Sequence, residues 1–490
     1  MNITTIVLMI IFVFTFIPLV LAEIARSKFR YTLEDFFLQS RKMNLLMAFF
    51  TIYATWVSSF AFLGSTASFY SQGPLYMTCF AWNILFALMF MVIGRRIWFY
   101  GRNHGYITAT DFFDDIYRSK SLSFTVTAVL TLFTIPYLMI QLYGGTFLIE
   151  TASGGQIPWK TAGLIFYLVI IIYLWAGGLR AVAMSDVFYG VMTFLTMIVT
   201  GFFFIIKSGG IEETFMQIGM ENSDFFTLGS TDANSPMRWL AMFLIIPVGA
   251  FMGPPMWIRM YAIRDAKIFK ALPLLLTFIT IMYLGPMLAG NAAKVLYPGL
   301  ASSDNLLIVM IMDKMPLVLA GTILCGIAAA SLSTANSQIH AMASVYTVDI
   351  HRRYIRPTIK ERDTIRVARW AVLVVSIVAY LMMLEYNGNI IEMGTLSFSG
   401  TAQIFIPALG ALVWGKSNSR AAAIGIWAGV AVDIIGYMVL SMPIVYSATI
   451  AFAVNAAIFI LGSLWFRTDR ETYDRINQYK YDFEEDLWQR

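Results

Sequence analysis

"PVGAFMGPPMWIRMY", residues 247–261, decides the fold of this chain. The stretch is apolar, yet it sets Gly249, Gly253, Pro254 and Pro255 close to its centre. Pro255 cannot donate to a helical ladder, and Pro254 is pushed out of helical geometry by the proline that follows, so a helix running through here breaks. In hydrocarbon, a break is tolerated only where the freed backbone groups face protein or a cavity. A second interrupted stretch, "TWVSSFAFLGSTASFYSQGP" at residues 55–74, carries Ser58, Ser59, Gly64, Ser65, Thr66 and Ser68 in an otherwise apolar run. One break alone reads as a kink or a close-packing point, since Gly and Pro are common in transmembrane helices. Two breaks in matching places do not.

Lipid is the solvent of this chain. Its residues are 59% hydrophobic and 13% charged, with a mean hydropathy of +0.71, where a soluble domain carries about 25% charged residues. Stretches of roughly 20 apolar residues recur along it. They predict thirteen spans, near residues 3–22, 46–70, 76–99, 122–148, 160–176, 183–207, 238–259, 270–292, 315–347, 366–385, 391–414, 420–440 and 445–466. The first has neither a basic leader nor a small-residue cleavage site and is expected to stay as a helix. Cys79 and Cys325 both fall in apolar spans, which suits packing better than a disulfide or zinc site.

The net charge of +5 does not point to nucleic acid, because the basic residues alternate by membrane side. Segments 23–45, 95–120, 259–270 and 348–366 are rich in Arg and Lys. The connection 208–237 carries Glu212, Glu213, Glu221, Asp224 and Asp232 with no Lys or Arg. By the positive-inside rule that connection faces outward, which places the amino terminus outside and the carboxyl terminus in the cytoplasm. Thirteen, an odd number, agrees with this. The mixed-sign tail 467–490 reads as a solvated extension.

The two breaks fall in the first helix of two five-helix blocks, spans 2–6 and 7–11, and blocks of odd helix number enter the membrane from opposite sides. Paired interrupted helices in inverted halves point to the central site of a transporter. The expected organisation is a first helix and loop (1–45), a first repeat (46–207), an outer loop (208–237), a second repeat (238–414), two peripheral helices (415–466) and the tail (467–490). A further stretch, "AAASLSTANSQ" at 328–338, offers hydroxyls and amides without a full charge. Sodium is a hard cation that prefers oxygen, and hydroxyls with carbonyls release a single charge more readily than carboxylates. Alone, such residues serve as often to pack helices or to bond back to their own carbonyls. Opposite a broken helix, Ser333 and Thr334 favour an ion.

These residues resemble the sodium/solute symporter family, which includes the proline, pantothenate, sialic acid, monocarboxylate and sodium/glucose carriers. "GGLRAVAMSDVFYG" at 177–190 is similar to the family's Gly-Gly-Leu-x-Ala-Val-x-x-x-Asp hallmark, "AAASLSTANS" to its eighth core helix, and "FMGPPMWIRMYAIRDAK" to its broken sixth. The resemblance implies an all-α, polytopic protein with a five-plus-five inverted repeat of the leucine-transporter type, working by alternating access in the inner (plasma) membrane. Its partners are then sodium, a small organic solute and the lipid bilayer. It also implies a sodium site on Ala54 and Val57, through their carbonyls, and on Ala330, Ser333 and Thr334. Asp186 matches the hallmark aspartate, which in some members serves a second sodium or its exit with polar residues such as Asn336 and Ser337. Asp186 can equally pair with Arg180 at the interface.

The solute is expected between the repeats, against Ser58, Ser59, Phe60, Ala61, Phe62, Gly64, Gln141, Tyr143, Met252, Pro255, Met256, Trp257, Ser399, Thr401 and Gln403. That wall is aromatic and apolar, and a sugar would leave hydroxyls without partners there. A small monocarboxylate fits better, held by backbone N–H groups at a half-helix end; a proline-like amino acid is the alternative. Asp433, near mid-span in the twelfth helix, reads as a polar packing contact rather than a proton relay. An enzyme would need His, Asp or Glu converging at one depth, and none do. A sensor would need a signalling domain larger than a tail of about 24 residues.

Overall fold

The structure is a computed structural model that describes residues 32–229, 235–299, 304–386 and 388–489, with isolated positions between 10 and 24. The side chains of 173–177 and 487–489 fall outside that description, as do most of the first span and Asp232 of the outer loop. Among the described residues helix is the one regular element, apart from a single isolated bridge between Met43 and Ile263.

Nine described helices are long and apolar enough to cross a bilayer, ten when the bent pair Pro236–Met252 and Pro254–Ala262 is taken as one. Each of the expected spans from residue 46 onward coincides with helix. Two of them, at Leu45–Trp56 and Trp159–Ile172, are apolar but short. The expected number of thirteen therefore rests on those two and on the first span.

The breaks lie where the sequence puts them, but they are narrower. In the second span the helix Leu45–Trp56, capped by the Asn44 side chain, stops at Val57, whose backbone is extended. It resumes as a wide turn over Phe60–Gly64 and continues through Ser65–Gln72. Gly64, Ser65, Thr66 and Ser68 are thus helical, and the interruption is confined to two residues, Val57 and Ser58. In the seventh span Gly253 is extended, and the two halves meet at 58°. Gly249 is inside the first half. It allows close packing instead: a Cβ there would collide with the carbonyl oxygen of Phe398, so the backbones of spans seven and eleven touch.

Spans five and six form one run, Trp159–Lys207, folded at Gly178 with φ 58° and ψ −159°. That region suits glycine alone, and a Cβ would also lie 2.8 Å from the Phe36 carbonyl oxygen. The sixth helix therefore starts at Gly178, earlier than the expected 183, because the hallmark glycine makes the turn itself.

Spans four, six, seven, nine and eleven enclose the centre, and the ninth is buried from Ile323 to Ser344. The two peripheral spans, Ser419–Val439 and Ile444–Trp465, pack chiefly against each other. The tail departs from the expected solvated extension. It forms a helix, Arg470–Gln489, with Ile476, Tyr479 and Phe483 buried. Arg95 and Arg96 stack on the Phe483 ring, and Tyr479 donates to Asp115 at 2.7 Å.

Candidate ion and solute site

A helix that stops at Trp56 leaves carbonyls without their usual amide partners. The ninth span supplies donors. Ser333 Oγ donates to the Ala54 carbonyl at 2.8 Å, and Thr334 Oγ1 lies 3.2 Å from that oxygen and 3.1 Å from the Thr55 carbonyl. Ser333 also reaches the Ala330 carbonyl at 3.1 Å. Ala54, Ala330, Ser333 and Thr334 thus converge, joined by Thr55, which lies outside the expected set, while Val57 forms the break. The donor set comprises neutral oxygens only, hydroxyl and carbonyl, and it is buried. It fits a weakly held hard monocation.

One turn further on, the polar groups change character. Asp186 is fully buried and accepts from Thr51 Oγ1 at 2.5 Å and from Arg259 Nη2 at 3.4 Å. Arg259 also donates to the Thr51 carbonyl, the Pro255 carbonyl and Ser337 Oγ. Thr55 Oγ1 bonds Ser337 Oγ at 2.8 Å, joining this network to the ion cluster. Two expectations change here. Arg180 does not pair with Asp186; it pairs with Asp35 at 2.6 Å. Arg259, counted with a basic loop, is 1% exposed within the bundle. Its i,i+4 spacing from Pro255, whose carbonyl it caps, is the one signal of this in the sequence. Asn336 takes no part, and its Oδ1 has no partner.

Between the broken spans lies a cavity lined by Thr55, Trp56, Thr134, Tyr137, Gly249, Ala250, Gly253, Pro255, Met256, Gln338, Ser397, Phe398 and Thr401. Its free space is about 20 Å³, room for a single water. Of the residues expected at the solute, Pro255, Met256 and Thr401 line this cavity. Ser58, Ser59 and Gln141 sit beside it: Ser58 Oγ is 3.0 Å from Tyr137 Oη, Ser59 N donates to Gln141 Oε1, and Ser59 Oγ is 2.6 Å from Ser331 Oγ. Phe60 packs against Phe398, which lines the cavity, and Phe62 is fully buried in the core.

Other expected residues stand apart, among them Tyr143, which packs against Phe147, Trp159 and Tyr386. Trp257 packs against Phe112 and Phe113. Ser399 donates to Asp433, and Gln403 bonds Asn455, so both face the peripheral helices. Consecutive helix positions point in different directions, and no single-sequence pattern says which of them faces a centre made by other helices.

A family model described as "Sodium:solute symporter family" matches residues 36–429. The chain belongs to the sodium:solute symporter family. The sodium/pantothenate symporter of Escherichia coli (strain K12) is 24% identical over 403 residues, covering 80% of this chain and 81% of that protein. The osmoregulated proline transporter OpuE of Bacillus subtilis (strain 168) is 27% identical, covering 67% and 66%. A solved structure of a Na+-coupled sialic acid symporter, in a substrate-bound outward-open state, superposes with a TM-score of 0.82 at 19% identity over 94% of this chain and 98% of that one. The symporter is therefore a multi-pass, all-α membrane protein of the leucine-transporter fold. Its family supports sodium-coupled symport of a small solute.

Proposed function

We propose that this symporter moves a small monocarboxylate into the cell with sodium, by alternating access between the repeats 46–207 and 238–414. Sodium sits on the hydroxyls of Ser333 and Thr334 and the carbonyls of Ala54, Thr55 and Ala330, at the break opened by Val57. The reading rests above all on Ser333 and Thr334 reaching the carbonyls left free by the broken second span. When sodium binds, the carbonyls turn their lone pairs from the hydroxyl protons to the ion. Asp186 and Ser337, held by Arg259, form the next layer on the ion's exit path. Arg259 already supplies the positive partner of Asp186, so a second sodium is not part of the reading. By the positive-inside rule, the basic loops favour an amino terminus outside and a carboxyl terminus in the cytoplasm.

Several observations favour a monocarboxylate. Among the described residues no charged side chain lines the cavity, and Trp56, Met256, Pro255 and Phe398 give it an apolar wall. One anionic charge beside one sodium makes a neutral pair, which lowers the cost of crossing a low-dielectric interior. Pantothenate, the solute named for one relative above, is a monoanion with a single carboxylate, whereas proline, named for the other, adds an ammonium to its carboxylate and belongs to the alternative reading.

The test is uptake by purified protein in proteoliposomes under a sodium gradient, with acetate, propionate, pyruvate, lactate, proline and glucose as competitors. Monocarboxylates are expected to compete, and glucose is not. A full rate driven by a proton gradient in sodium-free buffer would overturn the sodium assignment. Competition by proline alone would select an amino-acid symporter.

A further inference from the structure

Nearly every polar group around the central cavity already has a partner. Tyr137 meets Ser58, Ser397 donates to the Phe133 carbonyl, and Thr401 donates to the Gly249 carbonyl at 2.8 Å. The backbone at the breaks offers little more. Ser59 N and Phe60 N are taken by Gln141 Oε1 and Ser58 Oγ, Pro254 and Pro255 have no N–H, and Met256 N bonds the Gly253 carbonyl. The half-helix end expected to hold a carboxylate therefore has no free donor in its first turn.

Two cavity-lining groups are different. Thr134, 2% exposed, leaves its hydroxyl without a partner, although Thr55, Thr66, Thr131 and Thr146 all bond back to the carbonyl one turn before. Gln338, 7% exposed, leaves Oε1 without a partner. Buried polar atoms without partners are costly, and two lining one cavity point to a ligand that completes them. Gln338 also lies one turn beyond Thr334, on the same face of the ninth span.

We propose that Gln338 and Thr134 read the polar end of the solute, and that this end is a carboxylate with an O–H or N–H on the adjacent carbon: a 2-hydroxy or 2-amino acid. A side-chain amide presents a donor and an acceptor side by side, whichever way it is flipped. The donor and the Thr134 hydroxyl take the carboxylate. The acceptor takes the solute's own O–H or N–H. A plain carboxylate satisfies the donors but leaves the amide oxygen buried and unpaired. The placement brings the carboxylate within one helical turn of the ion ligands, which ties solute affinity to sodium. The inference rests on the cavity being the solute site of the proposed symport.

The experiment uses pairs of like shape: lactate with propionate, which differ only in the adjacent O–H, and proline with cyclopentanecarboxylate, which differ in the adjacent N–H and in the positive charge on the proline nitrogen. Each competes for sodium-driven uptake in proteoliposomes. Wild-type protein should favour the donor-bearing member of the pair it accepts by on the order of tenfold or more. Gln338→Leu should cut that preference to about twofold or less while sodium still raises the variant's melting temperature. Thr134→Val should weaken both members of a pair alike. Gln338→Glu, isosteric but negative, should exclude both members, and it serves if the leucine variant fails to fold. Equal competition within each pair by wild type, or a preference that persists in a sodium-stabilised Gln338→Leu protein, overturns the inference while leaving monocarboxylate symport standing. A preference seen with proline alone supports the inference and overturns the monocarboxylate reading. Uptake of neither acid class overturns both.

Discussion

The two broken spans use the same device for opposite purposes. In the second span the helix ends without proline, so the break at Val57 exposes carbonyl oxygens at the end of Leu45–Trp56, and hydroxyls from the ninth span meet them. In the seventh span the break is Gly253 followed by two prolines, so the new helix begins without its first two N–H groups. The first break gathers neutral carbonyl and hydroxyl oxygens, the set proposed above for sodium. The second makes a donor-poor wall, with Arg259 one turn below it. The fold at Gly178 is a third kind, a turn between two spans packed on the Phe36 backbone. A broken membrane helix is thus a place where backbone polarity becomes available. Its chemistry depends on which end of the peptide dipole is exposed and on what the neighbouring helix offers.

The largest expected effect tests whether the charge below the second break is structural. Arg259→Ala or Asp186→Asn leaves one buried charge unpaired and should cost about 3–5 kcal/mol, read as lost folded protein and a lower melting temperature in detergent. The double variant Asp186→Leu with Arg259→Met should recover part of that loss. Equal instability of single and double variants would break the claim that the two charges support each other.

Next in size is Gly178→Ala, which forces a Cβ into a positive-φ position and should cost about 1–3 kcal/mol of stability. Half-saturation by sodium should not move, and a shift there would mean that the third break also communicates with the ion.

Thr334→Ala removes one proposed ion ligand from the first break. Half-saturation by sodium should rise roughly tenfold, with transport at saturating sodium little changed. The same substitution tested against solute affinity at saturating sodium should show the smaller shift.

Ser58→Ala should have the mildest outcome, about a few-fold. The hydroxyl accepts from Phe60 N as the helix restarts and meets Tyr137 beside the cavity, so its loss should weaken solute more than sodium. A larger effect on sodium would move Ser58 from the solute side of the break to the ion side.

Part of the proposed ion site is legible in the amino-acid sequence alone. Ser333 and Thr334 stand out as polar residues in an apolar span, which have few readings, whereas Ala54 enters only through the resemblance to the family. The solute site is far less so. Gln338 lies four residues past Thr334, where nothing local distinguishes it from the other polar residues of that span, whereas Trp257, Ser399 and Gln403, expected at the solute, face other helices. Arg259 looks like the edge of a basic loop because Arg264, Lys267 and Lys270 follow it.

Composition, span lengths, the alternation of basic loops and the two prolines beside Gly253 are properties of neighbouring residues, and local physics in lipid is enough to turn them into an all-helical, twice-broken bundle. Which hydroxyl meets which carbonyl, that Asp186 pairs with Arg259 rather than Arg180, and that Thr134 and Gln338 are left without partners depend on side chains brought together from distant parts of the chain. Only the tertiary structure decides those, because helix periodicity fixes the relative directions of side chains within one helix but not the rotation of that helix against its neighbours.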